Sequence, residues 1–441
     1  MLATGALLVI YDFGAHPWLF LVTVASSFAL LVLWSRRYGD RPVALSTLLV
    51  VAALLRILVL PLPQSLSDDV YRYLWDGKVL LAGYNPYALA PDSDSLASLR
   101  DENWERTAHR EVETVYPPFA LGLFSIAAAL PAPLVSYRLL LGVLDLAGCL
   151  LLFRLARRIG VPTGRTVWYA WNPLVVLEGV GMGHIDVAGV AAVIATVLLL
   201  VRMQQSGRTA GRSARRIAVT AAATACAGVL LKLVPVVALP MWIRQSRSRW
   251  LLLAVAAVLL TSALMVTVTT GGFPPGLVTY GVSWEFNGPV FEPLWRLLDR
   301  VEVVPAVKWA LERLKQVVGG DALWNRFYPY VYPQFLAKLL LAVGVLVAMG
   351  LSLRESCVSA GTGRLLMRVS VLSATLYPWY ATWALPFAAL HRFRSWWLLS
   401  FTLQLAYLPR LFGVEYFPWV YLAVWGPPAA WSLREGWTRR T

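Results

Sequence analysis

Charge is what this sequence has least of. Charged residues make up 14% of its 441 positions, against about 25% in an ordinary soluble domain. The shortfall runs the whole length and excludes a water-soluble globule. Cysteine is scarce too: there are three, Cys149, Cys226 and Cys357. An odd, widely spaced trio gives neither a disulfide framework nor a zinc spacing. His16, His109 and His391 are too far in sequence from His184 to give it a second histidine for a metal. No P-loop, G-x-G-x-x-G or nucleophile elbow is present. Neither a metal nor a cofactor is therefore expected. No basic stretch followed by a short apolar core and a cleavage site opens the chain, so no removable leader is expected.

What is abundant is apolar surface. Hydrophobic residues make up 58% of the chain, and the mean hydropathy is +0.62. The net charge is +15, but the basic residues fall in short clusters between apolar runs. That is the positive-inside pattern of a polytopic membrane protein, not a surface for nucleic acid.

A spanning helix needs roughly 20 apolar residues. Residues 17–34 and 42–62 qualify, and Arg36, Arg37 and Arg41 between them mark the cytoplasmic side. The first external loop then covers 63–117. Residues 118–130 are too short to span comfortably, and 134–153 return inward to Arg154, Arg157 and Arg158. Residues 166–180 go out and 187–203 come back to Arg208, Arg212, Arg215 and Arg216. Two short helices, 217–231 and 233–243, meet near Lys232 and Pro235, and Arg244, Arg247 and Arg249 follow inside. Residues 250–270 lead to a second external loop, 271–331, and 332–353 return to Arg354, Arg364 and Arg368. Segments 365–377, 383–391, 396–411 and 417–433 complete the path, with His391, Arg392, Arg394, Arg434, Arg439 and Arg440 inside. The fold class expected is all-α: one polytopic bundle over 1–441, of about ten to thirteen membrane helices, several short or re-entrant.

The first external loop begins with Ser67-Asp68-Asp69-Val70-Tyr71-Arg72-Tyr73. Read as a helix, it puts Val70, Leu74, Gly77 and Leu81 on one face and Asp69, Arg72, Tyr73 and Asp76 on the other. This predicts an amphipathic helix in the membrane plane, ending at Gly83. An acid poised to take a hydroxyl proton, with Arg72 one turn away keeping it ionised, has the ingredients of a general base.

These residues carry a resemblance. "DVYRY" at 69–73, "GYNPY" at 83–87, "YPP" at 116–118, "WNPLVVLEGVGMGHID" at 171–186, "LKLVP" at 231–235 and "YPWYATWALP" at 377–386 occur in this order. The ordered set resembles the GT-C superfamily of integral membrane glycosyltransferases, in feel nearest to bacterial mannosyltransferase-like members. The resemblance implies a polyprenyl-phosphate-linked sugar donor, mannose foremost. It implies a hydroxyl acceptor on a glycan, lipid or protein, an inverting transfer, and an active site on the external face of the bacterial inner membrane. The family's base falls on Asp69 by its spacing to Tyr73. Some members have Asp-x-Asp where this chain has Ser67-Asp68-Asp69, which leaves open whether Asp68 or Asp69 acts.

Arg72, Lys232 and His184 are then the candidates for the donor phosphate. A lysine at helix-centre depth costs roughly 2.5–3.5 kcal/mol, so Lys232 needs a partner or a task; Glu178 and Asp145 are possible partners. Asp145 itself reads as a structural partner of Arg138 or Arg56. His184 and Asp186 follow Gly179, Gly181 and Gly183 on what reads as an external tip, where glycine lets backbone approach a ligand. For sugar or acceptor the candidates are Tyr73, Asn85, Tyr87, Tyr116, Glu285, Asn287, Trp379 and Tyr380, since sugars stack on aromatics and hydrogen-bond to amides and carboxylates. The competing readings are a transporter or flippase, and a catalytically silent assembly partner. A transporter predicts broken helices in two related halves, and only the break near Lys232 is visible.

Overall fold

The computed structural model describes residues 12–205, 212–246, 248–319 and 330–438. Arg208, Arg247, Arg439, Arg440 and positions 320–329 of the second loop lie outside the described residues. The apolar runs fold as helices, with no strand among the described residues. The principal ones are α1 (Pro17–Tyr38), α2 (Leu45–Val59), α3 (Asp69–Leu81), α4 (Pro118–Ala128) and α5 (Pro133–Arg158). They continue with α6 (Asp186–Gln205), α7 (Arg212–Leu231), α8 (Arg249–Thr270), α9 (Pro333–Ser352) and α10 (Val358–Val371). Helices α1, α5, α6, α8 and α9 are long and apolar enough to cross a bilayer, and α2 and α4 are apolar but shorter.

Helix α6 is the centre, with 72% of its apolar window buried, against 6% for α8. Leu260, Leu264 and Val268 of α8 and Leu339, Val343 and Leu346 of α9 point outward. In water this belt would be a liability; around an integral membrane protein it faces lipid.

The basic loops gather at one end. Asp40 meets Arg165 at 3.0 Å and Arg392 at 3.2 Å, and Arg165 also donates to the Leu390 carbonyl. Gln205 donates to the Arg158 carbonyl and Gln245 to the Glu355 carbonyl. The loops near residues 40, 160, 205, 245, 355 and 392 thus share one face of the bundle.

Two segments differ from expectation. Residues 166–180 are not one crossing but short turns, Val167–Ala170, Pro173–Val176 and Leu177–Gly181. Asn172 ends the first turn and caps the second, accepting from the Leu174 amide at 3.0 Å and donating to Ser400. Pro173 has no amide to continue a ladder. Helix α3 exists with the expected bounds and is largely covered by protein. Tyr71, Tyr73, Leu74, Trp75, Asp76 and Gly77 are all buried. One side packs on α4, where a Cβ at Gly77 would stand 2.4 Å from the Phe124 carbonyl oxygen. The other is covered by the rest of the same loop, with Leu96 against Trp75 and Val79. Its polar face therefore meets protein, except where Asp69 and Arg72 line a cavity.

A buried pair fixes α2 against α5: Arg56 and Asp145 approach to 2.5 Å, and Tyr169 donates to Asp145 at 2.8 Å. Arg138 instead holds the end of α2, donating to the carbonyls of Leu60 and Leu62 at 2.7 and 2.9 Å.

Candidate active site

Arg138 holds the chain just past the end of α2 at Val59, and α3 begins at Asp69. Ser67 accepts from the Asp69 amide at 3.3 Å, which starts the helix with Asp69 in its first turn. Tyr73, one turn on, stacks on Phe124 with centroids 4.7 Å apart. Its hydroxyl lies 3.3 Å from Asp69 Oδ2 and 3.4 Å from His184 Nδ1.

Asp69 opens on a cavity of about 600 Å³. Its side chain is 37% exposed, and that opening is toward the cavity. Loss of bulk water raises its pKa above the ordinary carboxylate value, while the Lys232 charge and the Tyr73 hydroxyl pull it back in part. The same burial holds His184 well below its ordinary value, with Lys232 adding to the effect. The His184 ring is stacked on Trp379 with centroids 3.6 Å apart.

Lys232 follows the last turn of α7, where Pro235 ends the regular ladder, and it reaches the same cavity. Its partner is neither Glu178 nor Asp145 but Asp186, at 2.7 and 2.9 Å from the two carboxylate oxygens. Trp383 donates to Asp186 at 2.6 Å, and the Lys232 ammonium lies 4.3 Å from the Tyr380 ring centroid. Glycine makes this possible: a Cβ at Gly189 would stand 2.2 Å from the Trp383 ring.

Several of these residues make contacts other than those expected. Arg72 does not pair with Asp69. It lines the cavity but is held by Asp76 at 2.8 Å and by the carbonyls of His109 and Val112 at 3.0 and 2.7 Å. Asp68 is at the cavity edge, paired with Arg410 at 2.9 Å. His184 and Asp186 are not on a solvated tip; both are buried. Gly183, at φ +76°, brings backbone against Val70 of α3 and not against a ligand. Tyr73 is fully buried behind Asp69 and touches it only through its hydroxyl.

Four sugar candidates face elsewhere. Asn85 donates to the Thr269 carbonyl at 3.1 Å, and Tyr87 donates to the Tyr116 carbonyl at 2.7 Å. Tyr87 thus supports Tyr116, which does line the cavity. Glu285 pairs with Lys338 at 2.9 Å. Asn287 is buried, donating to the Leu376 carbonyl at 3.0 Å and accepting from Trp425 and Tyr416. The reason is local geometry. Trp284 is extended, Phe286 and Asn287 bridge to Thr375, and Asn287 takes a left-handed backbone at φ +57°. Trp284 and Phe286 turn to the cavity while Glu285 and Asn287 turn away. Trp379 and Tyr380 line the cavity, and Tyr380 shares a 2.7 Å hydrogen bond with Tyr280.

Arg410, Asp186, Tyr280 and Trp383 were not among the expected site residues. Arg410 had a signal: it ends the 396–411 run on the side away from the other basic clusters. Asp186 had none beyond its place after the glycines, because its partner is 46 residues away.

Residues 3–280 match the MptA_B family, described as alpha-(1->6)-mannopyranosyltransferase, N-terminal domain. This is more than half of the chain, and the chain belongs to that family. The wall formed by Tyr377, Trp379, Tyr380 and Arg410 lies beyond the matched residues. No curated protein matches. Among solved structures, the archaeal oligosaccharyltransferase AglB from Archaeoglobus fulgidus, in complex with an inhibitory peptide and a dolichol-phosphate, aligns with TM-score 0.39 and 14% identity. The alignment covers 90% of this chain and 55% of that one, so this chain spans about half of AglB's length. A likeness this slight fixes neither substrate nor mechanism.

Proposed function

We propose that the protein transfers mannose from a polyprenyl-phosphate carrier to a hydroxyl acceptor, with Asp69 as general base. The observation that carries this reading is one cavity shared by the Asp69 carboxylate, the Lys232 ammonium and an aromatic wall of Trp284, Trp379 and Tyr380. Its size, about 600 Å³, falls in the ordinary range of small-molecule sites.

Each part has a task. The acceptor hydroxyl loses its proton to Asp69 as its oxygen bonds to the anomeric carbon. The bond from that carbon to the phosphate oxygen breaks, and the polyprenyl phosphate leaves with the extra negative charge. Lys232, held in place by Asp186, faces that developing charge inside a water-poor site. Attack opposite the leaving group inverts the centre, so an α-linked product of the kind in the family's description requires a β-linked donor. The aromatics offer stacking faces to the sugar.

Charge supports a sidedness. The basic loops gather at the end opposite Asp69, and clusters of this kind stay in the cytoplasm. The cavity then opens on the non-cytoplasmic side of the cell membrane, where a lipid-borne sugar is the available donor. Leu233, Leu277 and Val369 line an apolar flank of the cavity suited to an isoprenoid tail.

The test is to give purified protein in lipid nanodiscs a panel of polyprenyl-phosphate sugars with a mannoside acceptor. Consumption of the mannosyl donor with a new α-linked product is expected. If no donor is consumed, or a nucleotide sugar is used instead, the reading fails.

A further inference from the structure

A donor phosphate needs an available cation, and the lysine and arginines of the cavity are already paired. Three lysine or arginine side chains line it: Arg72, Lys232 and Arg410. Each is paired: Arg72 with Asp76, Lys232 with Asp186 and Arg410 with Asp68. The pairs are not equal. Asp76 and Asp186 are 2% and 1% exposed, so pulling their cations away would strand a buried charge. Asp68 and Arg410 are 36% and 45% exposed. When that pair opens, Asp68 is rehydrated, and exposed pairs of this kind are weakly held.

We propose that Arg410 captures the phosphate of the lipid-linked donor by exchanging Asp68 for it, so that the Asp68–Arg410 pair is an anion-operated latch at the cavity mouth. The inference rests on the transferase reading for the identity of the donor. Residue 410 lies outside the matched family segment, and nothing in that match assigns it a role.

The local geometry suits the exchange. Arg410 sits in a short helix, Leu408–Phe412, and its Nε donates to the Ser65 carbonyl at 2.9 Å. Its Nη2 spans both Asp68 oxygens at 3.0 and 2.9 Å. A phosphate presents the same pair of oxygens to the same edge of the guanidinium. The Ser65 contact can stay, so the arginine need not swing. The pair also joins the start of the Asp69 loop to the C-terminal wall, so its exchange is felt at the segment that carries the base. Lys232 uses two of its three N–H donors on Asp186 and keeps one for the phosphate. Arg410 supplies the net charge that Lys232, neutralised by Asp186, lacks.

The experiment measures binding of a short-chain polyprenyl phosphate to the full-length protein, with the matching polyprenol as uncharged control. Arg410→Gln is expected to weaken phosphate binding by roughly 10–100-fold and to leave polyprenol binding unchanged. Arg410→Lys should recover part of the loss. Asp68→Asn, which releases Arg410, should bind the phosphate at least as tightly as the unaltered chain. Equal affinity of the Arg410→Gln and unaltered proteins, or equal weakening by Asp68→Asn and Arg410→Gln, overturns the proposal. The second result would make the pair a structural clamp. Because the readout is binding, an absence of sugar transfer by the unaltered protein would sink the transferase reading and leave this result standing by itself.

Discussion

The Lys232 ammonium lies 2.7 Å from Asp186 Oδ2, and Trp383 donates to the other oxygen of the same carboxylate at 2.6 Å. A lysine in a cavity is thereby fixed before any ligand arrives. Asp186 is 1% exposed, so it cannot be left alone. Lys232→Met is expected to destabilise the protein by about 3–5 kcal/mol, because it leaves a buried charge unpaired. Lys232→Met combined with Asp186→Asn should regain most of the thermal stability and none of the turnover. Thermal unfolding and initial rates on the three proteins separate the structural share from the chemical one.

Asp69→Asn should lower turnover by about 10²–10⁴-fold, the usual worth of a general base. Donor binding should persist, because Lys232 and Arg410 are untouched. Rates and equilibrium binding on one preparation test this; a variant with ordinary turnover would move the base elsewhere.

The pH dependence has a definite sign. Asp69 must be ionised to accept a proton, and burial raises its pKa above the ordinary value of about 3.9. The acid limb of kcat/KM should therefore lie above that value, with activity lost as pH falls through it. The Tyr73 hydroxyl lies 3.3 Å from the carboxylate and favours its charged form. Tyr73→Phe removes that help, raises the pKa further and should move the acid limb to higher pH. A limb that stays put or moves down contradicts the assignment.

Gly189→Ala tests how the site is built. The added Cβ would stand 2.2 Å from the Trp383 ring, so the indole must leave Asp186 or α6 must shift. A loss of about 1–3 kcal/mol is expected, as for other overpacked cores. It should come with reduced turnover and a change in the fluorescence of the displaced tryptophan.

The stretch at 284–287 makes opposite predictions for neighbours. Trp284→Ala should raise the KM of one substrate, because the ring lines the cavity. Glu285→Gln should leave both KM values near those of the unaltered protein, because the carboxylate is spent on Lys338 at 2.9 Å. Substrate titrations on the two variants decide which face of the stretch meets the ligand.

Much of the fold was legible because hydropathy and positive-inside clustering act locally along the chain. The spans containing α1, α5, α6, α8 and α9, the break at Lys232, and the gathering of Arg158 and Arg392 at one end all follow from those rules. The bounds of α3 followed too, from the apolar spacing of Val70, Leu74, Gly77 and Leu81 and the stop at Gly83. Its setting did not follow. A half-polar helix can face water or a polar protein interior, and one-dimensional spacing does not distinguish them.

By itself the sequence determined a helical membrane bundle, the family motifs, and an acid and a lysine that need a reason to be in apolar surroundings. Only the tertiary structure decided who partners whom. Lys232 meets Asp186 across 46 positions and Asp68 meets Arg410 across 342, and no local period encodes such distances. The tertiary structure also turned Glu285 and Asn287 away from the cavity and closed His184 behind Trp379. The physical reason is that burial penalises every unpaired charge, so the packed chain matches its ions wherever the fold brings them together. The ionisable groups still able to act on a ligand are those left open to the cavity.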